Sequence, residues 1–137
     1  MDCLFCEIIA GKTPAYFVYE DSTHIAIMDK YPIHRGHTLV MPRAHHEKII
    51  DMTPTSVSEL FTRILPIARG VIEATTADGF NIGQNNGRAA NQIIPHVHVH
   101  VIPRYSQVGV AWPKRSVADE KDLEELAAKI RRCIKLT

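Results

Sequence analysis

The chain has 137 residues, a formal net charge of +1 and a composition that is 45% hydrophobic and 23% charged. That length suits one domain around one core, and the composition is that of a globular chain rather than a disordered one. A charge so near balance offers no bulk attraction to nucleic acid, and no apolar run approaches membrane-spanning length, so neither is expected as a partner.

Residues 1–7 carry acids and no basic stretch, unlike a secretory leader. Three cysteines, two of them spaced as Cys3-x-x-Cys6, fit a reducing, cytoplasmic setting. There the pair would serve a metal or a redox step rather than a disulfide scaffold.

Leu4–Ile9 predicts a short helix stopped by Gly11 and Pro14. Phe17–Glu20 and His24–Met28 read as strands split by a turn at Asp21 and Ser22, and residues 37–41 as a third strand ended by Pro42. The longest helix is expected to start near Thr53, with Pro54 in its first turn and Ser56-x-x-Glu59 as its capping pattern. Val57, Leu60, Ile64, Ile67 and Val71 give it an apolar face at helical spacing; Pro66 predicts a kink and Gly79 its end. Residues 80–83 read as a strand, 84–91 as a polar loop and 97–102 as the clearest strand, closed by Pro103. Residues 119–135 predict a last helix with acids in its first turn and bases in its last. Strands that cluster around one long helix imply an α+β fold. The expected frame is an antiparallel sheet with that long central helix, a short N-terminal helix and a C-terminal helix. No repeat or linker divides the chain, so residues 1–137 read as one domain.

The run His96-Val97-His98-Val99-His100 separates chemistry from packing. On a strand, side chains alternate, which sends the histidines to one face, about 6.6 Å apart, and Val97, Val99 and Val101 to a core face. Folding alone does not demand an ionisable row of this kind. The residues themselves leave three readings open: a solvated polar face, a metal site built on neutral imidazoles, or a nucleophile. Imidazole suits the last because it is largely neutral near pH 7 and leaves readily once protonated.

His96-Val97-His98-Val99-His100-Val101-Ile102 resembles the signature of the histidine triad (HIT) family, His-φ-His-φ-His-φ-φ with φ apolar. Asn85-Asn86-Gly87 and Gln92 resemble the family's phosphate-side loop, and Ile102-Pro103-Arg104 its continuation. Tyr19-Glu20-Asp21, Met28-Asp29, Gly36-His37-Thr38-Leu39-Val40 and Met41-Pro42-Arg43-Ala44-His45 are similar to its N-terminal half. The likeness covers residues 3–105 and leaves 106–137 as a C-terminal extension with its helix.

The resemblance implies a nucleotide hydrolase or transferase acting at the α-phosphate of a purine nucleotide conjugate. The conjugate would be a nucleoside phosphoramidate or a dinucleoside polyphosphate, cleaved through a nucleotidyl-histidine intermediate to release a nucleoside monophosphate. His98 would be the nucleophile, flanked by His96 and by His100, which would sit near the phosphate oxygens. Asn85 and Gln92 would hold non-bridging or leaving-group oxygens, and Asp29 the ribose hydroxyls. Leu4, Phe5, Ile8 and Ile27 match an apolar slot for the base, although ordinary core packing accounts for each of them equally well. No catalytic metal is implied. A structural zinc on Cys3, Cys6, His45 and His96 is implied, with His46 as the neighbouring candidate and a pair of reduced buried thiols as the plainer alternative. The family also implies a homodimer with its sheet continued across the two-fold, and Trp112 is a candidate for that interface.

Two departures stand out. Ile93 occupies a position where several members carry Ser or Thr, whose hydroxyl can reach the leaving group, and Asn91 stands where Gly is common. Ile93 keeps a second class open, a nucleotide-binding or regulatory protein with weak catalysis. His37 matches a structural position, Cys133 reads as a small buried hydrophobe, and His24 and His34 as strand or surface residues.

Overall fold

The computed structural model describes residues 3–106, 108 and 115–136. Its elements are α1 (Leu4–Ile9), β1 (Phe17–Glu20), β2 (His24–Met28), β3 (Thr38–Pro42), α2 (Pro54–Thr75), β4 (Gly79–Gln84), β5 (Val99–Arg104) and α3 (Glu120–Cys133). The strands form one five-stranded antiparallel sheet in the order β1-β2-β3-β5-β4. This is the expected α+β frame.

Strands β2 and β3 are buried along their whole length because both faces of the sheet are covered. Ala26, Met28, Val40, Val99 and Val101 point into a core shared with Leu60, Ile64, Ile67 and Val71 of α2 and Leu123, Leu126 and Ile130 of α3. Their neighbours Ile25, Ile27, Leu39 and Met41 point the other way, onto Phe5 and Ile8 of α1. Each aliphatic side chain fully buried in this way contributes about 1.5–3 kcal/mol.

Helix α2 starts at Pro54 as expected, but its cap differs. Thr53 Oγ1 accepts from the Ser56 amide (3.1 Å) while Ser56 Oγ accepts from the Thr53 amide (2.9 Å). The cap therefore pairs Ser56 with the threonine before it, not with Glu59. The helix runs through Pro66 and stops at Thr76, which takes the left-handed region at φ 52°, ψ 34°. Gly79, expected to end it, opens β4 instead.

The histidine strand is also shifted. It starts at Val99 rather than Val97, since the Val97 amide donates to the His46 carbonyl (2.7 Å) and the His96 amide to Ile94 (2.8 Å). It continues through Pro103 to Arg104, because β3 pairs with β5 only as far as Val101 and Pro103 faces β4 alone. Past β5 the chain returns across the loop that follows β2. Ala118 donates to the Lys30 carbonyl (2.9 Å), and Arg35 pairs with Asp122 (3.1 Å). Trp112 lies outside the described residues.

Candidate active site

A cavity of about 360 Å³ opens where α1 faces β2 and β3, a size suited to a small ligand. Leu4, Phe5, Ile8, Ile27, Asp29, Asn85, His98 and His100 line it, together with Ile93 and Arg115. Of the apolar four, Phe5, Ile8 and Ile27 belong to the core beneath α1 and also form part of the cavity wall. Leu4 is 44% exposed, so packing does not account for it.

The histidines, equivalent by sequence, are separated by their hydrogen bonds. His98 Nδ1 lies 2.7 Å from the His96 carbonyl. A carbonyl only accepts, so Nδ1 carries the proton and Nε2 keeps its lone pair. His37 Nδ1 accepts from the Ile33 amide (3.0 Å), which puts the proton of that ring on Nε2. That Nε2 donates to His100 Nδ1 (2.9 Å), so His100 in turn carries its proton on Nε2. One imidazole of the cavity is therefore set as a base or nucleophile and its neighbour, 5.0 Å away between ring centres, as a donor.

Burial reinforces this. It lowers His98, against the pull of the His96 carbonyl and with help from the Arg115 charge. It drives His100 down to about 3, aided by His98 and Arg115, and His37 to about 2, aided by His100 and Arg115. Phe5 packs edge-on against the His98 ring at 5.0 Å and excludes water from it.

Asp29 sits beside this pair. Its carboxylate accepts from the Tyr31 amide (2.8 Å) and from Arg115 Nη1 (3.0 Å). Burial pushes its pKa up, and the Tyr31 and Arg115 contacts only partly reverse that. His37 Nε2 is 3.5 Å from the same carboxylate, but with His37 neutral this is a weak contact and not an ion pair.

The loop before β5 behaves differently from the sequence expectation in one respect. Asn85 faces the cavity, and Asn91 adopts the left-handed backbone its substitution for Gly demands, at φ 70°. Gln92 does not line the cavity. Its Oε1 accepts from the Gly87 amide (2.7 Å) and its Nε2 donates to the carbonyls of Glu47 (2.6 Å) and Ile94 (3.1 Å), so it braces the loop.

His96 turns away from the cavity. Its Nε2 donates to the Pro42 carbonyl (2.7 Å), which leaves the Nδ1 lone pair facing Cys3 and Cys6. Sγ–Nδ1 separations are 3.6 Å for both cysteines to His96 and 3.2 Å for Cys6 to His45. Sulfur and nitrogen ligands of a tetrahedral zinc stand about 3.5 Å apart, given Zn–S near 2.3 Å and Zn–N near 2.0 Å. The residues therefore fit a Cys₂His₂ ion with the His96 tautomer already fixed by its outer hydrogen bond. Among the described residues, His96, His98 and His100 do not converge as a ligand set. Asp29, His37 and His100 do cluster, yet a metal on His37 Nε2 would leave Nδ1–H facing the Ile33 N–H.

Two residues of this site were missed from sequence. His37 was read as structural, although it sets the His100 tautomer. Arg115 carried no signal, because only the return of the chain across Asp29 brings it here.

A sheet that sets a base imidazole and a donor imidazole beside a carboxylate is a frame for group transfer at phosphorus. The HIT domain model matches residues 10–107, and the chain belongs to the histidine triad (HIT) family. It is 36% identical over 137 residues to adenosine 5'-monophosphoramidase hnt1 of Schizosaccharomyces pombe, spanning 96% of this chain and 100% of that protein. It is 33% identical over 135 residues to adenylylsulfatase HINT3 of Arabidopsis thaliana, spanning 96% of this chain and 68% of that one. A zinc-bound histidine triad family protein of Mycobacterium smegmatis has the same fold, with a TM-score of 0.87 and 37% identity over 98% of this chain and 94% of that chain. The expected family, fold and class of activity agree with these relatives.

Proposed function

We propose that the protein is a nucleotide hydrolase or transferase that cleaves at the α-phosphate of a purine nucleotide conjugate, with His98 as nucleophile. The observation that carries this is the complementary tautomer pair, an unprotonated His98 Nε2 and a protonated His100 Nε2 at one cavity. His98 Nε2 forms a bond to the α-phosphorus as the bond to the leaving group breaks. The His100 N–H and Asn85 stabilise charge on the phosphate oxygens, and water then cleaves the phosphorus–nitrogen bond to release the nucleoside monophosphate. Ile93 supplies no proton, so an amine leaving group takes its proton from water. Asp29 accepts from the ribose hydroxyls, and Leu4, Phe5, Ile8 and Ile27 enclose the base. Gln92 acts on the loop that carries Asn85.

Cys3, Cys6, His45 and His96 would hold a structural zinc that pins α1 to the sheet, and no catalytic step passes through it. The reduced cysteines match a cytoplasmic setting, and among the described residues no helix is long and apolar enough to cross a membrane.

A homodimer is supported by the edge of the sheet. Phe80 and Ile82 on edge strand β4 are 46% and 41% exposed, and Ile82 pairs with Val101, which puts both on the α2 side. Phe61 and Leu65 of α2 are 42% and 56% exposed. A second copy would cover such an apolar edge, and Ile82→Glu with Phe80→Glu should give a monomer by light scattering.

The activity is tested by incubation with adenosine phosphoramidate and with a diadenosine polyphosphate, followed by mass analysis for AMP. Wild type should release AMP, and His98→Ala should bind AMP without turnover. Wild type that binds AMP yet leaves both substrates intact would overturn the enzyme reading in favour of a binding protein.

A further inference from the structure

Arg115 lies beyond residues 10–107, the part matched by the family model, yet it reaches the cavity that holds His98 and His100. Its guanidinium is tied to Asp29 Oδ2 at 3.0 Å, across 86 residues of sequence, and its side chain is only 21% exposed. The segment that follows is fixed as well, through Ala118 on the Lys30 carbonyl and Asp122 on Arg35. Arg115 is thus held in place by the way the extension crosses the Asp29 loop.

A nucleotide brings to this cavity a negative charge that hydrogen bonds from an imidazole or a carboxamide only partly offset. Among the described lining residues the cations are Lys30, which is exposed, and Arg115. Charge–charge attraction grows as solvent is excluded, so the half-buried guanidinium exerts the stronger pull on a phosphate. Its planar fan of donors can also engage a carboxylate and a phosphate oxygen together, which a lysine cannot match.

We propose that Arg115 is a substrate-binding residue of this chain, gripping the 5'-phosphate while Asp29 takes the ribose. The Arg115–Asp29 pair is then the two halves of a clamp on the nucleoside monophosphate unit. In the structure as it stands, each partner offsets the cost of burying the other. This rests on the proposed nucleotide site and adds to it a fixed positive charge, which the neutral imidazoles of the histidine motif do not supply.

The test is a comparison of AMP with adenosine as ligands, by calorimetry, for wild type, Arg115→Met and Arg115→Lys. Loss of one charged phosphate contact should raise the Kd of AMP about 10-fold or more in Arg115→Met, while the Kd of adenosine stays within about 2-fold. In turnover the loss should fall mainly on KM. Arg115→Lys keeps the charge and the reach to Asp29, so it should hold the wild-type Tm and still lose about 3- to 10-fold in AMP affinity. Equal AMP affinity in wild type and Arg115→Met would overturn the proposal. So would tighter binding of both ligands, which would make Arg115 a plug on Asp29, or equal weakening of both with a lowered Tm, which would make it a structural tie. Wild type that neither binds AMP nor turns over sinks the nucleotide site itself; wild type that does both, matched by Arg115→Met, sinks only the clamp.

Discussion

His37, which is fully buried, donates from Nε2 to Nδ1 of His100 at 2.9 Å, and its own Nδ1 is held by the Ile33 amide. The backbone thereby dictates, through one imidazole, which nitrogen of a second imidazole faces substrate. His37 does not itself line the cavity; it reaches it through the hydrogen bond to His100 and a weaker 3.5 Å contact with Asp29.

Replacing His37 by Leu removes that constraint and lets His100 present either nitrogen. We expect kcat to fall by about 10- to 100-fold, less than the 10²–10³ seen when an oxyanion donor is deleted outright. His37→Gln restores an N–H donor and should recover part of the loss. Nitrogen NMR should show His100 protonated on Nε2 in wild type and a tautomer mixture in His37→Leu. Unchanged kcat in His37→Leu would refute the relay.

Elements whose burial is set locally were legible in the sequence: α1, β1 and β2 fall on the residues that their alternating or helical patterns named. The errors arise where a distant backbone group intervenes. Residues 97–98 carry a strand pattern, but the His46 carbonyl captures the Val97 amide and delays β5 to Val99. Gln92, given a phosphate-side role by family resemblance, is held by the Glu47 and Ile94 carbonyls and the Gly87 amide, contacts that local sequence does not show. The grouping of Cys3 and Cys6 with His45 and His96 was legible only through family resemblance, since the spacing of two cysteines names no third ligand. Arg115 was illegible for the same reason: nothing near it in sequence says that it will meet Asp29.

Zinc should be present at about one ion per chain and should be lost from Cys3→Ser/Cys6→Ser. Structural zinc supplies folding energy rather than chemistry. Chelation should therefore lower Tm by about 5 °C or more, since each kcal/mol is worth a few degrees in a domain of this size. Below that lowered Tm, kcat should be retained. Metal content in the double variant equal to wild type would refute the ligand set.

Asp21 predicts how the fold responds to acid. Burial opposes its ionisation, but the Tyr19 hydroxyl, the Thr23 and His24 amides and the Arg63 guanidinium outweigh it and hold the carboxyl well below the usual range. A group depressed in the folded state contributes stability that is fully present above its unfolded pKa, near 3.9, and is lost as pH falls through its folded value. Asp21→Asn should cost about 1–2 kcal/mol at neutral pH, and the gap between its Tm and that of wild type should begin to narrow below about pH 4 and keep narrowing as pH falls further. A constant difference in Tm from pH 7 to pH 3 would show that Asp21 acts by shape alone.

Gly70 decides how closely α2 approaches the end of α3. A Cβ built on it would stand 2.6 Å from Ile134 Cγ1 and 3.1 Å from the Ile134 amide nitrogen. Helix propensity alone favours Gly70→Ala by about 1 kcal/mol, because glycine is the poorer helix former. Overpacking works against it by about 1–3 kcal/mol, and the contact with backbone is one that no rotamer change relieves. The second effect should win, giving a net loss of up to about 2 kcal/mol in denaturant unfolding. Pairing Gly70→Ala with Ile134→Ala removes the Cγ1 clash and should restore part of the loss while the backbone contact persists. A Gly70→Ala variant more stable than wild type would mean that α3 can shift away from α2 at little cost, and that this contact does not set their spacing.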